Sequence, residues 1–225
     1  MPAATYSPWL NDAAFMAAYQ RIKRFTLVDI YRCYELWELA KQALRVEGAV
    51  VEVGVWRGGT GCLLALAASE KTVYLADTFA GVVNAGEQDT RYAGGEHADT
   101  SEELVRGLLD SAGVKNARLL KGMFPEETAA MVEGRVAMLH VDVDVYESAR
   151  ATVEWALPRM LPGAAMVFDD YGFFECEGVT RLVNELRGRL AGFAFFYNLN
   201  GHAVMVKTAE ARPEMQSGPR PAVLR

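Results

Sequence analysis

The sequence predicts an α/β fold in which a doubly wound, mostly parallel sheet carries helices on both faces. Short apolar runs alternate with helical stretches from Gly48 onward, as buried parallel strands and their crossover helices do. An amphipathic helical region precedes them. The last two apolar runs have no helix between them, which is typical of a hairpin. We therefore expect seven strands, an antiparallel C-terminal strand at the sheet edge and an N-terminal helical extension.

The elements are placed by their periodicity. Residues 12–46 repeat apolar positions at intervals of three and four, which predicts one broken helix or two consecutive helices. Helices are also expected between the later strands, at 60–69, 101–111, 147–160 and 175–190. The terminal hairpin turns through 198–201. The seven expected strands are 49–53, 72–76, 117–120, 136–141, 164–168, 193–197 and 202–207.

The chain divides into an N-terminal helical extension at 1–47, an α/β domain at 48–208 and an extended tail at 209–225. The prolines that follow Arg212 predict an extended conformation for this tail. Residues 83–100 are polar and show no period, although they carry several glycines. Loops of that length are usually lids or disordered segments, so we expect this one near the active site.

Composition narrows the classes of function. The formal net charge is −6 and the basic residues are scattered, so a nucleic-acid footprint is not expected. Apolar runs fall well short of the roughly 18 residues that span a bilayer, and no membrane partner is expected. The cysteines, Cys33, Cys62 and Cys176, lack paired metal-ligand spacing and fit a reducing, cytoplasmic setting.

A glycine-rich turn follows the first strand. Residues 52–60 read Glu-Val-Gly-Val-Trp-Arg-Gly-Gly-Thr where a strand ends and a helix begins. Trp56 takes the place of the second glycine of the dinucleotide fingerprint, so a cofactor without pyrophosphate fits better. Glu52 suits a cationic ammonium or sulfonium group. The alternative is a plain glycine turn with a surface acid. The candidate cofactor-binding residues are Glu52, Gly54, Val55, Trp56, Arg57 and Gly58.

Further cofactor contacts are expected at the ends of the next two strands. Asp77 ends the second strand and suits ribose hydroxyls, with Thr78 beside it and Phe79 placed to lie against an adenine. Gly122, after the third strand, would admit the adenine edge. Asp142, after the fourth strand, is also a candidate cofactor contact. The alternatives are a solvated aspartate and an ordinary turn.

Three aspartates follow two neighbouring strands. Asp142 ends one strand, and Asp169 and Asp170 end the next, one right-handed crossover later. Neighbouring strands lie about 4.8 Å apart, so the carboxylates should converge. Two like charges about 4 Å apart repel by about 4 kcal/mol at an effective dielectric of about 20, which calls for a cation or a proton. The cluster predicts a site for a hard ion such as Mg²⁺, and the alternatives are a carboxylate dyad or solvated strand ends.

Other residues near these motifs are read in two ways. His140 points to the same face as Asp142, so it is either a second base or a strand histidine satisfied by a neighbour. His97 lies in the expected lid and either touches substrate or faces solvent. Trp56 and Tyr146 either line the pocket or simply pack. Asp144 is read as an acid beside the site.

Together the motifs resemble a known family. They are residues 52–59, Ala-Asp-Thr-Phe-Ala-Gly at 76–81, His-Val-Asp-Val-Asp-Val-Tyr-Glu-Ser at 140–148 and Phe-Asp-Asp-Tyr-Gly at 168–172. In this order they resemble the macrocin, mycinamicin and novobiocin type of sugar O-methyltransferase across residues 21–207. Val143 stands where that family commonly has glycine.

The resemblance implies a class I methyltransferase fold and S-adenosylmethionine as the methyl donor. It also implies Mg²⁺ on Asp142, Asp169 and Asp170, with Asp142 as general base, and a homodimer or larger homo-oligomer. The acceptor would be a hydroxyl group of a glycoside or another small molecule of natural product biosynthesis. Two other functions stay open at this stage, a nicotinamide-dependent oxidoreductase and a catalytically silent protein that keeps the cofactor fold. The missing fingerprint glycine disfavours the first, and the three aspartates disfavour both.

Overall fold

A computed structural model describes residues 5–209 and contains the expected seven-stranded sheet. The strand order is β3-β2-β1-β4-β5-β7-β6, and only β7 runs antiparallel to its neighbours, β5 and β6. The predicted α/β, doubly wound architecture is therefore confirmed. The strands are β1 (Ala49–Val53), β2 (Val73–Asp77), β3 (Ala117–Lys121), β4 (Val136–Val141), β5 (Met160–Phe168), β6 (Phe193–Tyr197) and β7 (Ala203–Lys207).

Helices cover both faces of this sheet. Side chains alternate along each strand, so Val50 of β1 joins one apolar core and Val51 joins the other. The first core receives α1 to α4, and the second receives α5 and α6. These helices are α1 (Ala13–Ile22), α2 (Ile30–Ala43), α3 (Gly59–Ala67), α4 (Glu102–Ser111), α5 (Tyr146–Ala156) and α6 (Glu177–Arg189).

The N-terminal extension forms two helices rather than one broken helix. Asp12 caps α1 by accepting the Phe15 N–H, and Asp29 caps α2 by accepting the N–H groups of Tyr31 and Arg32. Both helices bury apolar side chains in the same core as the sheet, where Leu36 is fully buried. The extension thus positions α2 directly against the strands that carry the site.

One predicted boundary is wrong. The helix expected over 147–160 ends at Ala156, a 3-10 turn covers Leu157–Arg159, and β5 already begins at Met160 rather than at residue 164. Pro158 lacks the N–H that a continuing helix needs, so the helix stops before it. Pro162 and Gly163 interrupt the early part of β5, where its register with β4 shifts.

The terminal hairpin is confirmed, with Phe193 opposite Lys207 and Tyr197 opposite Ala203. The expected position of its antiparallel strand is wrong, because β7 pairs with both β5 and β6 and the edge strand is β6. Residues 83–100 contain no helix or strand, as expected. No helix between residues 5 and 209 combines the length and apolar character needed to cross a bilayer. The tail predicted from Arg212 onward lies outside the described residues.

Candidate active site

A cavity of about 230 Å³ opens at the carboxyl ends of the central parallel strands. The turn after β1, the end of β2 and the acids that follow β4 and β5 form its walls, as the topology of open α/β sheets predicts. Residues 25–28, which connect α1 to α2, also line it. No motif in the sequence indicates that last segment, because its residues carry ordinary apolar and hydroxyl side chains.

The turn after β1 brings two backbone segments into close contact. Gly54 has a φ of +88°, and a β-carbon at this position would lie 1.7 Å from the Asp142 carbonyl oxygen. Only glycine fits there. Trp56 adopts a φ of +46°, an uncommon conformation for a bulky residue. The turn is thus shaped by its contact with the loop that carries Asp142.

Asp77 organises this turn from the end of β2. One carboxylate oxygen accepts the N–H groups of Val55 at 2.7 Å and Trp56 at 2.8 Å. The other accepts the Phe79 N–H at 2.6 Å. Asp77 also lines the cavity, and these three hydrogen bonds do not use all the acceptor capacity of its carboxylate.

The three predicted aspartates converge at the cavity wall. Carboxylate oxygens of Asp142, Asp169 and Asp170 all lie within 4.8 Å of one another. Desolvation and the charges of Asp169 and Asp170 raise the pKa of Asp142 well above its usual range. Desolvation and the charges of Asp169 and Asp144 likewise raise the pKa of Asp170. Ionisation of all three aspartates would therefore place more negative charge here than the protein surroundings neutralise.

Asp169 differs from its neighbours because it has a basic partner. Arg32 of α2 places Nη1 2.8 Å from both Asp169 oxygens and 3.9 Å from Asp170. Burial alone would raise the pKa of Asp169, but nearby His202 and Arg32 lower it to about 2. Sequence reasoning missed Arg32, since 137 positions separate it from Asp169 and it lies within an amphipathic helix.

Two predicted residues lie behind the cavity rather than in its wall. Glu52 and His140 are fully buried, occupy paired positions on β1 and β4, and bind each other through His140 Nδ1 and Glu52 Oε1 at 2.9 Å. His140 thus has a neighbour at Nδ1, whereas its Nε2 forms no hydrogen bond within the described residues. Glu52 has this histidine as its partner, and neither residue lines the cavity.

The predicted cofactor-binding set divides in the same way. Gly54, Val55, Trp56, Asp77, Thr78, Gly122 and Asp142 line the cavity. Besides Glu52, three predicted cofactor-binding residues do not line the cavity, because their contacts lie elsewhere. Arg57 pairs with Asp99 at 2.5 Å, Gly58 abuts Val105 at the start of α3, and Phe79 packs against the apolar core.

The loop at 83–100 lines part of the cavity and forms hydrogen bonds with residues of the site. Tyr92 donates a hydrogen bond to Asp144 at 2.8 Å, and Trp56 Nε1 donates one to Asp99 at 2.7 Å. Tyr92, His97 and Asp144 all line the cavity. Tyr146 instead packs at the start of α5, where its hydroxyl donates to a glutamate of α6. The loop thus adds an aromatic side chain, Tyr92, that the sequence did not single out.

Comparison with known proteins places this geometry in a family. The sequence model of the macrocin O-methyltransferase (TylF) family matches residues 17–191. The chain belongs to this family. It is therefore an S-adenosylmethionine-dependent O-methyltransferase, and the resemblance indicated by the motifs is confirmed. Membership decides against both other functions considered from the sequence, the nicotinamide-dependent oxidoreductase and the silent binding protein.

Individual relatives support the assignment. One relative is 8-demethyl-8-(2,3-dimethoxy-alpha-L-rhamnosyl)-tetracenomycin-C 4'-O-methyltransferase of Streptomyces olivaceus. The two sequences are 31% identical over 180 residues, and the alignment covers 73% of this chain and 68% of the relative. The chain is also 31% identical over 186 residues to mycinamicin III 3''-O-methyltransferase of Micromonospora griseorubida, covering 73% and 70%.

Solved structures agree. The O-methyltransferase NovP superposes with a TM-score of 0.71 at 26% identity, over 82% of each chain. The calicheamicin methyltransferase CalS11 gives a TM-score of 0.65 at 16% identity, over 90% of this chain and 94% of that one. The second match shows the shared fold alone. The sheet described above is therefore the class I methyltransferase sheet.

Proposed function

We propose that this enzyme transfers the methyl group of S-adenosylmethionine to a hydroxyl group of a sugar or another natural-product acceptor, with Mg²⁺ held by Asp142, Asp169 and Asp170. The observation that carries the proposal is the convergence of these three carboxylates in the wall of the cavity that the glycine turn and Asp77 also line. The relatives are named for O-methylation of a rhamnosyl tetracenomycin and of mycinamicin III, which supports this acceptor class.

The donor side of the cavity lies against β1 and β2. The turn at Gly54 leaves room for a ligand, and Asp77 presents acceptor lone pairs suited to ribose hydroxyls. We assign donor binding to these residues together with Val55, Trp56, Thr78 and Gly122. Glu52 is not included, because its carboxylate is buried against His140.

The acidic cluster fits a hard divalent ion. All its donor atoms are carboxylate oxygens, the ligands that Mg²⁺ prefers, and the raised pKa values of Asp142 and Asp170 reflect charge that a cation would neutralise. Arg32 neutralises only part of it, since its closest contacts are with Asp169. Bound there, Mg²⁺ would lower the pKa of an acceptor hydroxyl and orient its oxygen.

We assign the proton transfer to Asp142. It lies at the cavity wall, whereas His140 is buried and bound to Glu52. Asp142 is also held next to the donor turn, because its backbone N–H donates to Val53 and its carbonyl abuts Gly54. This fixed position lets one side chain accept the proton while the cavity aligns the acceptor oxygen with the methyl group, an orientation effect worth several kcal/mol.

Calorimetric titration tests the proposal. S-adenosylhomocysteine is expected to bind with a Kd on the order of micromolar, without added metal. A panel of glycosides and phenols is then titrated with and without Mg²⁺, and a glycoside is expected to bind only when Mg²⁺ is present. Failure of S-adenosylhomocysteine to bind would contradict the donor assignment. Glycoside affinity that is the same with Mg²⁺ and with a chelator would contradict the metal assignment.

Asp77→Ala is expected to weaken S-adenosylhomocysteine binding by about 10- to 100-fold, since hydrogen bonds to a charged group contribute about 1.5–3 kcal/mol. The variant removes both the ribose acceptor and the partner that holds the N–H groups of Val55 and Trp56. Calorimetry measures the effect. Asp110→Ala, on the exposed side of α4, is the matched control and should bind as the wild type does. Equal affinities for the two variants would exclude Asp77 from the donor site.

We further propose a cytoplasmic enzyme that works as a homo-oligomer. Cys33, Cys62 and Cys176 are all free and buried, as a reducing compartment permits. Sedimentation of the purified chain measures the assembly state.

A further inference from the structure

Two histidines lie fully buried behind the acidic cluster. His140 belongs to β4, and His202 immediately precedes β7, on the opposite side of β5. Their ring centroids are 6.0 Å apart and the ring planes are inclined by 72°. The methyl-transfer site does not use either ring, since neither lines the cavity. Such deeply buried polar groups need partners.

Each ring has one nitrogen held by a carboxylate. His140 Nδ1 lies 2.9 Å from Glu52 Oε1, and His202 Nδ1 lies 2.7 Å from Glu35 Oε2. An ionised carboxylate only accepts hydrogen bonds, so Nδ1 is the protonated nitrogen in both neutral rings. Both Nε2 atoms are then left with a lone pair.

The two Nε2 atoms differ in their surroundings. His140 Nε2 forms no hydrogen bond within residues 5–209. His202 Nε2 lies 2.9 Å from Asp169 Oδ1, to which only a protonated His202 ring would donate. The two Nε2 atoms and an Asp169 oxygen all fall within 4.8 Å of one another. A proton on His202 would satisfy one of these contacts and would leave His140 Nε2 without a partner.

We infer that His140, His202 and Asp169 bind a divalent ion of the Zn²⁺ type. Imidazole with carboxylate suits such an ion of intermediate softness, and the all-oxygen cluster beside it does not. Metal-binding histidines almost always donate the other ring N–H to a carboxylate, as both do here. Two donor atoms that each lie about 2.1 Å from one zinc ion are roughly 3–4 Å from each other. The three donor atoms here are within 4.8 Å of one another, so small movements would bring them to these distances.

The local charge favours an ion. Glu35, Glu52 and Asp169 bring three carboxylates to the two neutral rings, and Arg32 brings one guanidinium. Arg32 also pairs with Asp29, so net negative charge remains here for a divalent cation to neutralise. Because the ligands come from β4, the end of β5 and the start of β7, the ion would clamp three adjacent strands. Three protein ligands leave the fourth tetrahedral position to a water, and the full burial of both rings keeps that position away from the methyl-transfer cavity.

The inference does not depend on the proposed function, because the zinc set and the Mg²⁺ set share only Asp169. Metal content tests it directly. The whole chain is purified from zinc-supplemented cells, dialysed against a chelator and measured by mass spectrometry. We expect about one zinc ion per chain, since buried structural zinc is tightly held. His140→Gln and His202→Gln should each lower the bound zinc at least about tenfold.

The matched control is the Asp142→Asn, Asp170→Asn double variant. It dismantles the acidic cluster and leaves both histidines and Asp169 in place, so it should keep its zinc. X-ray absorption of the zinc-loaded wild type provides a second measurement that needs no variant, and it should show imidazole ligands. A wild type without zinc would overturn the inference and leave a proton or a water at this position. Zinc that is lost from the control but kept by the histidine variants would overturn it as well.

Discussion

The Asp142→Asn variant is expected to lose about 10²- to 10⁴-fold in turnover, the usual contribution of a positioned general base. Asparagine has nearly the same shape, so the backbone contacts of residue 142 with Val53 and Gly54 are retained. Binding of S-adenosylhomocysteine should therefore persist. Methyl transfer is measured with the acceptor that calorimetry identifies, and the donor Kd is measured on the same preparation.

Asp110→Asn is the matched control, because this aspartate lies exposed on α4. It should turn over as the wild type does. An Asp142→Asn enzyme with wild-type turnover would refute the base assignment. Loss of turnover together with loss of donor binding would place the defect in the cavity as a whole and would equally contradict the assignment.

Arg32→Met is expected to destabilise the fold by up to about 3–5 kcal/mol, because the buried Asp169 charge loses its guanidinium partner and keeps only the contact with His202. Arg32 is only 6% exposed and contacts both Asp169 oxygens at 2.8 Å. Methionine fills much of the same volume, so the decrease in the free energy of unfolding would reflect the lost charge rather than a new cavity. Each kcal/mol lowers Tm by about 2–4 °C in a protein of this size, and thermal unfolding in chelator measures it.

A double-mutant cycle separates this effect from general damage. Arg32→Met combined with Asp169→Asn removes both charges and should be less destabilised than Arg32→Met alone. Arg106→Met is the surface control, since Arg106 pairs with Glu102 on the exposed face of α4, and it should change Tm little. If Arg32→Met unfolds at the same temperature as Arg106→Met, Arg32 does not stabilise the site.

The sheet could be predicted because its signals are local. Each strand from β1 to β5 is a short apolar run, and the helix between two parallel strands fixes the right-handed crossover. The hairpin of β6 and β7 was likewise predicted from two apolar runs with a turn between them. The error at α5 and β5 has a local cause too, since apolar periodicity continued past Pro158 and hid the early start of the strand.

Part of the site was predictable for the same topological reason. Asp77, Asp142, Asp169 and Asp170 end parallel strands, and the carboxyl ends of such strands meet at one edge. The cavity therefore contains them, together with Gly54 and the turn beside it. Glu52 also lies near the end of a strand, but its side chain points away from the cavity and into the buried interior.

By itself, the sequence determined the class of fold, the family and the place where the acids collect, because these depend on patterns within one strand or one crossover. Only the tertiary structure decided which charges are paired. Arg32 reaches Asp169 across 137 positions, and Glu35 reaches His202 across 167. Such pairings depend on how α2 packs against the sheet, and the energy of a buried charge depends on those contacts rather than on its neighbours in the chain.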